Sequence, residues 1–166
     1  MGHSPTTPGA DIVVNGQGFS VKTEAGRGIS RDTVFLTKLM ESAWTKNLTN
    51  PEQFVAGVRN QVLPRVLQPD RTLVWRCHSR FADSEGQAEY ELLEIPKTYW
   101  EAMSHVKPEE FTPLTKAGST SVAISIGGEL IYTLCFDGSD QKIQIRNLAV
   151  ERCVFLGRWV LQAPKL

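Results

Sequence analysis

Hydrophobic and polar positions along this chain alternate in short blocks separated by glycine, proline and asparagine, a pattern that predicts more strand than helix. The β-branched run Ile12-Val13-Val14 stops at Asn15-Gly16 and resumes at Phe19, so residues 10–24 read as two strands joined by a tight turn. On the second strand Ser20, Lys22 and Glu24 alternate with Val21 and Thr23, which sends the first three side chains to one face. A glycine-containing turn follows at 25–30. Ser30 or Asp32 can then cap a helix reaching about residue 44, with Phe35, Leu36, Leu39, Met40 and Ala43 as a broad apolar face and Glu41 at its boundary.

Pro51-Glu52 can start a second helix, to about residue 63, burying Phe54, Val55, Val58 and Val62 before Pro64 and Pro69 interrupt regular structure. Strands are expected at 72–78 and 89–95, then a short helix at 97–106 whose Tyr99, Trp100 and Met103 pack on a sheet. Beyond a proline-containing loop at 107–118, three strands at 121–126, 130–136 and 142–145 are separated by Gly127-Gly128 and by the polar turn 137–140. A last apolar strand at 153–160 is expected to close the core through Phe155, Trp159 and Val160. The sum is an α/β fold, a mixed central β-sheet flanked by helices, in one domain over 10–166 behind a flexible segment at 1–9.

Composition narrows the function classes only modestly. Eighteen basic and eighteen acidic residues cancel, so nucleic-acid binding gains no support from net charge and requires a locally basic surface. The sequence has no long apolar span and no signal-peptide order of regions, and a cytoplasmic protein without membrane association is expected. Cys77, Cys135 and Cys153 are odd in number and far apart, which favours buried reduced thiols over disulfides or zinc.

The candidate chemistry lies in the first hairpin. An antiparallel turn would bring Asp11 beside the face of Ser20, Lys22 and Glu24, the combination that metal-assisted phosphodiester hydrolysis needs: hard carboxylate oxygens for magnesium and an ammonium near the developing charge. The same pattern also fits an ordinary hairpin with a polar solvated face. Glu41 could complete a metal site or pair with Lys38 or Lys46. Arg27 in the glycine turn, Arg76 and Arg80 on alternate positions of one strand, and Gln144, Arg146 and Asn147 near the end of another carry groups that contact phosphates or base edges. Each also suits a solvated surface.

Residues 4–15 followed by Phe19-Ser20-Val21-Lys22 resemble the catalytic core of the PD-(D/E)XK nuclease superfamily, particularly type II restriction endonucleases. Residues 92–103, around Ile95-Pro96-Lys97, and the run 136–148 resemble later parts of the same enzymes. The resemblance implies a magnesium-dependent, site-specific DNA endonuclease in which Asp11 binds metal and Lys22 positions water or stabilises charge. Ser20 stands where the family carries its second acid, so Glu24 on the strand or Glu41 on the expected helix becomes the replacement catalytic and metal-binding carboxylate. Double-stranded DNA is the implied partner, with a homodimer or a larger restriction system as the assembly. A catalytically inactive DNA-binding or assembly subunit is the alternative. The family core has a helix and often a strand before its first acid, whereas nine residues precede Ala10 here, so a shortened core or a portion of a larger enzyme is expected.

Overall fold

A computed structural model describes residues 10–25, 29–79 and 86–162. The chain forms a mixed α/β fold whose central sheet contains both parallel and antiparallel neighbours. In chain order the strands are β1 (Ile12–Val14), β2 (Gln17–Ala25), β3 (Thr33–Glu41), β4 (Arg71–Ser79), β5 (Gln87–Ile95), β6 (Thr120–Ile126), β7 (Glu129–Asp137), β8 (Lys142–Ala149) and β9 (Val154–Gln162). The helices are α1 (Pro51–Gly57), α2 (Leu63–Leu67) and α3 (Lys97–Glu101). The central sheet runs β1-β2-β4-β5-β9, and a second, wholly antiparallel sheet runs β3-β8-β7-β6.

The β1–β2 hairpin forms as expected because its two turn residues tolerate the required backbone: Asn15 has φ 51° and Gly16 φ 80°. Strand β2 then runs parallel to β4, with Ser20 opposite Thr72, Lys22 opposite Val74 and Glu24 opposite Arg76. A parallel pair needs a crossover, and the α1–α2 segment belongs to it. Asn50 caps α1 by accepting from the Gln53 backbone N–H at 3.0 Å. Pro64 does not end the helical run. A single turn of π-helix at Val58–Val62 intervenes, and Pro64 sits in the first turn of α2, where its missing N–H costs least.

The helix expected at 30–44 is instead strand β3, paired with β8. Thr33, Val34 and Thr37 favour extended backbone, and Val34 and Leu36 alternate inward in the ordinary strand manner. Irregular register between Leu36 and Met40 then lets Leu39 and Met40 both turn inward. That bulge converts a two-residue repeat into a spacing resembling a helix face.

The core lies among the helices and both sheets. Phe54, Val58 and Val62 from the crossover meet Val74, Leu93 and Ile95 of the central sheet and Ile124, Leu134, Phe136, Ile143 and Ile145 of the second. Trp100 and Met103 are buried here, as their spacing suggested. Strand β9 does not close this core. It is an edge strand, and Phe155, Trp159 and Val160 are 58, 42 and 56% exposed. Its apolar run reflects strand formation on β5, with Trp159 extending a ring stack through Trp75 to Tyr90. Of the cysteines, Cys77 is buried while Cys135 and Cys153 are half-buried, and all three are free thiols. The expected burial holds only for Cys77, though partial burial still pushes the Cys153 thiol up to about 12. Among the described residues no helix is long and apolar enough to cross a membrane.

Candidate active site

Strand β2 is the floor from which the candidate site is built. Asp11 enters β1 with its backbone N–H on the Phe19 carbonyl at 2.7 Å. Its Oδ2 accepts from the Ser20 hydroxyl at 3.1 Å and from the Val21 backbone N–H at 2.6 Å. Ser20 therefore orients Asp11 in this fold. Asp70 fastens the other end of the hairpin, its Oδ2 accepting from the Gly18 N–H at 2.6 Å.

Asp11, Ser20 and Lys22 line a cleft of about 540 Å³ together with Lys38 and Glu41 of β3 and Arg65 of α2. Asp11 and Glu41 thus reach one cleft from different sheets. Glu41 comes from a strand rather than the expected helix, at its pairing with Lys142. It makes an ion pair with Lys38, both side chains being well exposed. Lys22 has no hydrogen-bond or ion-pair partner among the described residues, which leaves its ammonium available to the cleft. Trp100 also lines this space, and its buried indole N–H has no partner among the described residues.

The second carboxylate proposed on the strand lies elsewhere. Glu24 is buried, and both its oxygens are occupied: Oε2 accepts from Arg76 Nε at 2.6 Å and Oε1 from the Phe35 backbone N–H at 2.7 Å. Arg76 itself is 0% exposed. It bridges Glu24 to Glu91, with Nη1 at 2.7 Å from Glu91, and donates to the carbonyls of Ser30 and Thr33. His78 lies 3.3 Å from Glu91, and Arg158 of β9 donates to the same residue at 2.8 Å. Burial would raise the Glu91 pKa, but hydrogen bonds from Arg158, Arg76 and His78 hold it below the ordinary carboxylate value. This corrects the expectation that Arg76 presents charge outward. The sheet face carrying it is covered, and a guanidinium there is compatible with folding only because two buried carboxylates meet it.

The β8 candidates divide likewise. Gln144 is 5% exposed and bonded within the fold, so it does not project toward a partner. Arg146 and Asn147 are exposed. Asn147 takes a left-handed conformation, φ 60°, and its amide donates to Thr133 at 3.2 Å. Arg27 and Arg80 lie outside the described residues. Sequence reasoning did not single out Lys38 or Arg65 as cleft residues. The Lys38–Glu41 spacing read as a helical pair, and Arg65 followed a proline taken as a helix stop.

The carboxylates fit a hard cation of magnesium type. Among the described residues no group of three or more His, Cys, Asp or Glu side chains is placed to hold a metal, but magnesium is commonly held by one or two carboxylates with waters completing its shell. Asp11 Oδ1 and Glu41 Oε2 have no protein partner among the described residues. They are the oxygens available for such a role.

A family model described as SmaI, type II site-specific deoxyribonuclease, matches residues 3–161. The chain belongs to this family of restriction endonucleases, within the PD-(D/E)XK-like superfamily. The type II restriction enzyme SmaI of Serratia marcescens is 26% identical over 167 aligned residues, covering 99% of this chain. The chain spans 64% of that relative's length. No solved structure matches. The Asp11 hairpin and the β2–crossover–β4 unit lie within the span that the family model matches.

Proposed function

We propose that this chain is a magnesium-dependent endonuclease that hydrolyses phosphodiester bonds at specific sites in double-stranded DNA. The observation that carries the reading is the meeting of Asp11 and Glu41 in one cleft beside Lys22, which has no partner among the described residues, in a chain of a type II deoxyribonuclease family. Asp11 and Glu41 would hold the ion, with Ser20 and the Val21 N–H fixing the Asp11 carboxylate. When bound, magnesium supplies charge neutralisation at the phosphoryl oxygens and a more acidic water. Lys22 orients the attacking water or balances charge accumulating on phosphorus oxygens. Water adds to phosphorus as the bond to the 3′ oxygen breaks, leaving a 5′-phosphate and a 3′-hydroxyl. Glu24 has no part in this scheme because Arg76 and Phe35 occupy it. Two copies of the chain acting on one duplex would cut both strands.

The test is cleavage of varied supercoiled DNA by the purified chain in magnesium, beside Lys22→Ala prepared identically. Discrete products from the original chain and none from the variant support the reading. Duplex binding without cleavage by the folded original chain would overturn it in favour of a binding subunit.

A further inference from the structure

Away from the cleft, one exposed arginine is held by a hydrogen bond from one side and an aromatic ring beneath it, with no carboxylate among the described residues bonded to it. Arg146 Nη2 donates to Gln144 Oε1 at 2.8 Å, and its guanidinium carbon lies 5.3 Å from the centroid of the Phe35 ring. Gln144 is in turn fixed, because its amide N–H donates to Asp137 Oδ2 at 3.2 Å. That contact settles the amide orientation: the nitrogen must face the carboxylate, so the oxygen must face the arginine. Asp137 is itself anchored through Oδ1, which accepts from the backbone N–H groups of Ser139 and Asp140 at 3.1 and 3.2 Å. The chain Asp137–Gln144–Arg146–Phe35 therefore runs from a tight turn, through a buried amide, to a surface guanidinium on a half-exposed ring.

A surface arginine that serves only solubility gains nothing from such ordering, because side-chain entropy is lost without a counter-charge. Ordering is useful when the guanidinium must meet a planar acceptor pair in one orientation, since that cost is then removed from binding. Gln144 occupies only one of the five N–H donors, leaving an adjacent pair for a ligand. The hollow beside it, about 280 Å³, is lined by Thr112, Thr115, Ser119 and Ser121, which add hydroxyl donors and acceptors.

We propose that Arg146 is a base-reading residue that recognises the N7 and O6 acceptors of a guanine in duplex DNA, and that Gln144 and Phe35 are its positioning residues. This rests on the nuclease reading above and names how that nuclease selects its site. Phosphate oxygens offer the same paired-acceptor chemistry, but a backbone contact does not need a fixed plane, whereas in-plane recognition of a guanine edge does. Strand pairing connects the reader to the chemistry. Arg146 stands on β8, which pairs with β3 from Thr33 opposite Ala149, through Leu36 opposite Ile145, to Glu41 opposite Lys142. Base recognition and the Glu41 cleft thus share one strand pair, less than about 20 Å apart along β3 at ~3.3 Å per residue.

The experiment presents duplexes with a randomised central segment to the intact chain without magnesium, and sequences the bound fraction for wild type, Arg146→Ala, Arg146→Lys and Gln144→Leu. Cleavage of the selected duplexes is then measured in magnesium. Wild type should enrich a guanine-containing motif. Arg146→Ala should relax preference at one guanine by about tenfold while preferences elsewhere persist. Arg146→Lys should restore it only in part, because a single rotatable ammonium lacks the rigid planar fork of parallel donors that the guanidinium presents. Gln144→Leu should relax the same position less, a readout that loss of packing alone would not confine to one base. Unchanged preference in Arg146→Ala overturns the inference. So does a uniform loss of affinity with weaker salt dependence, which marks a phosphate contact. Wild type that enriches the Arg146-dependent motif but cleaves nothing in magnesium supports the reader and overturns the nuclease. Cleavage without Arg146-dependent preference overturns the reader alone.

Discussion

Lys22 and Glu24 leave the same face of β2, yet they end in opposite surroundings. Lys22 borders an open cleft and carries no hydrogen-bond or ion-pair partner among the described residues. Glu24 is buried, held by Arg76 and by the backbone of β3. The elements opposite the strand make the difference. At Lys22 the strand borders an open cleft that Glu41, Lys38 and Arg65 also line. At Glu24 the backbone of β3 comes within hydrogen-bonding distance, and a carboxylate there must be satisfied internally. A charged face is therefore a site only where the fold leaves room before it.

The sharpest way to break this comparison is to remove Arg76. Arg76→Met leaves Glu24 and Glu91 buried without their shared counter-charge, and should cost about 3–5 kcal/mol in urea unfolding. A loss below about 1 kcal/mol would mean that the network is not a folding element. At the cleft, Lys22→Ala should do the reverse: cleavage falls about a hundredfold or more, while stability moves by less than about 0.5 kcal/mol. If Lys22→Ala unfolds the chain, the two regions are not distinct in kind.

A titration sharpens the same contrast. In the folded chain the hydrogen bond from Arg31 lowers the Glu89 pKa, while Glu91 is lowered by Arg158, Arg76 and His78 against the effect of burial. Depressed carboxylates contribute stability that is fully present above their unfolded value near 4.5 and lost as pH falls through their lowered folded values. Thermal unfolding followed down an acid series should therefore decline below that point, and Arg31→Ala should weaken the Glu89 share of the decline. The smallest effect belongs to Lys38→Ala. Its ion pair with Glu41 is more than half exposed on both sides, so stability should change by less than about 0.5 kcal/mol in the same urea measurement.

Much of this architecture was legible before any coordinates. The Asn15-Gly16 and Gly127-Gly128 turns, the strands at 72–78 and 89–95, and the buried Trp100 and Met103 follow from local patterns whose physical causes are local. The failures have a common source. Strand β3 looked helical because a bulge alters its inward spacing, and a bulge is defined by a partner strand that the sequence does not announce. The apolar run of β9 looked like core because hydrophobicity reports suitability for a strand, whereas burial depends on what lies opposite. Pro64 looked like a stop because a proline in a helical pattern usually is one, whereas here a π-turn at Val58–Val62 precedes it and a new helix starts around it.

The candidate site divides along the same line. The sequence by itself determined the hairpin, the common face of Ser20, Lys22 and Glu24, and a nuclease-like order of Asp11 and Lys22, because strand alternation and turn chemistry act between neighbours. Only the tertiary structure decided that Glu41 rather than Glu24 shares the cleft with Asp11, that Arg76 faces inward, and that Gln144 supports Arg146 instead of reaching outward. Those outcomes depend on which surfaces meet across two sheets, and burial, pairing and open space are properties of that meeting.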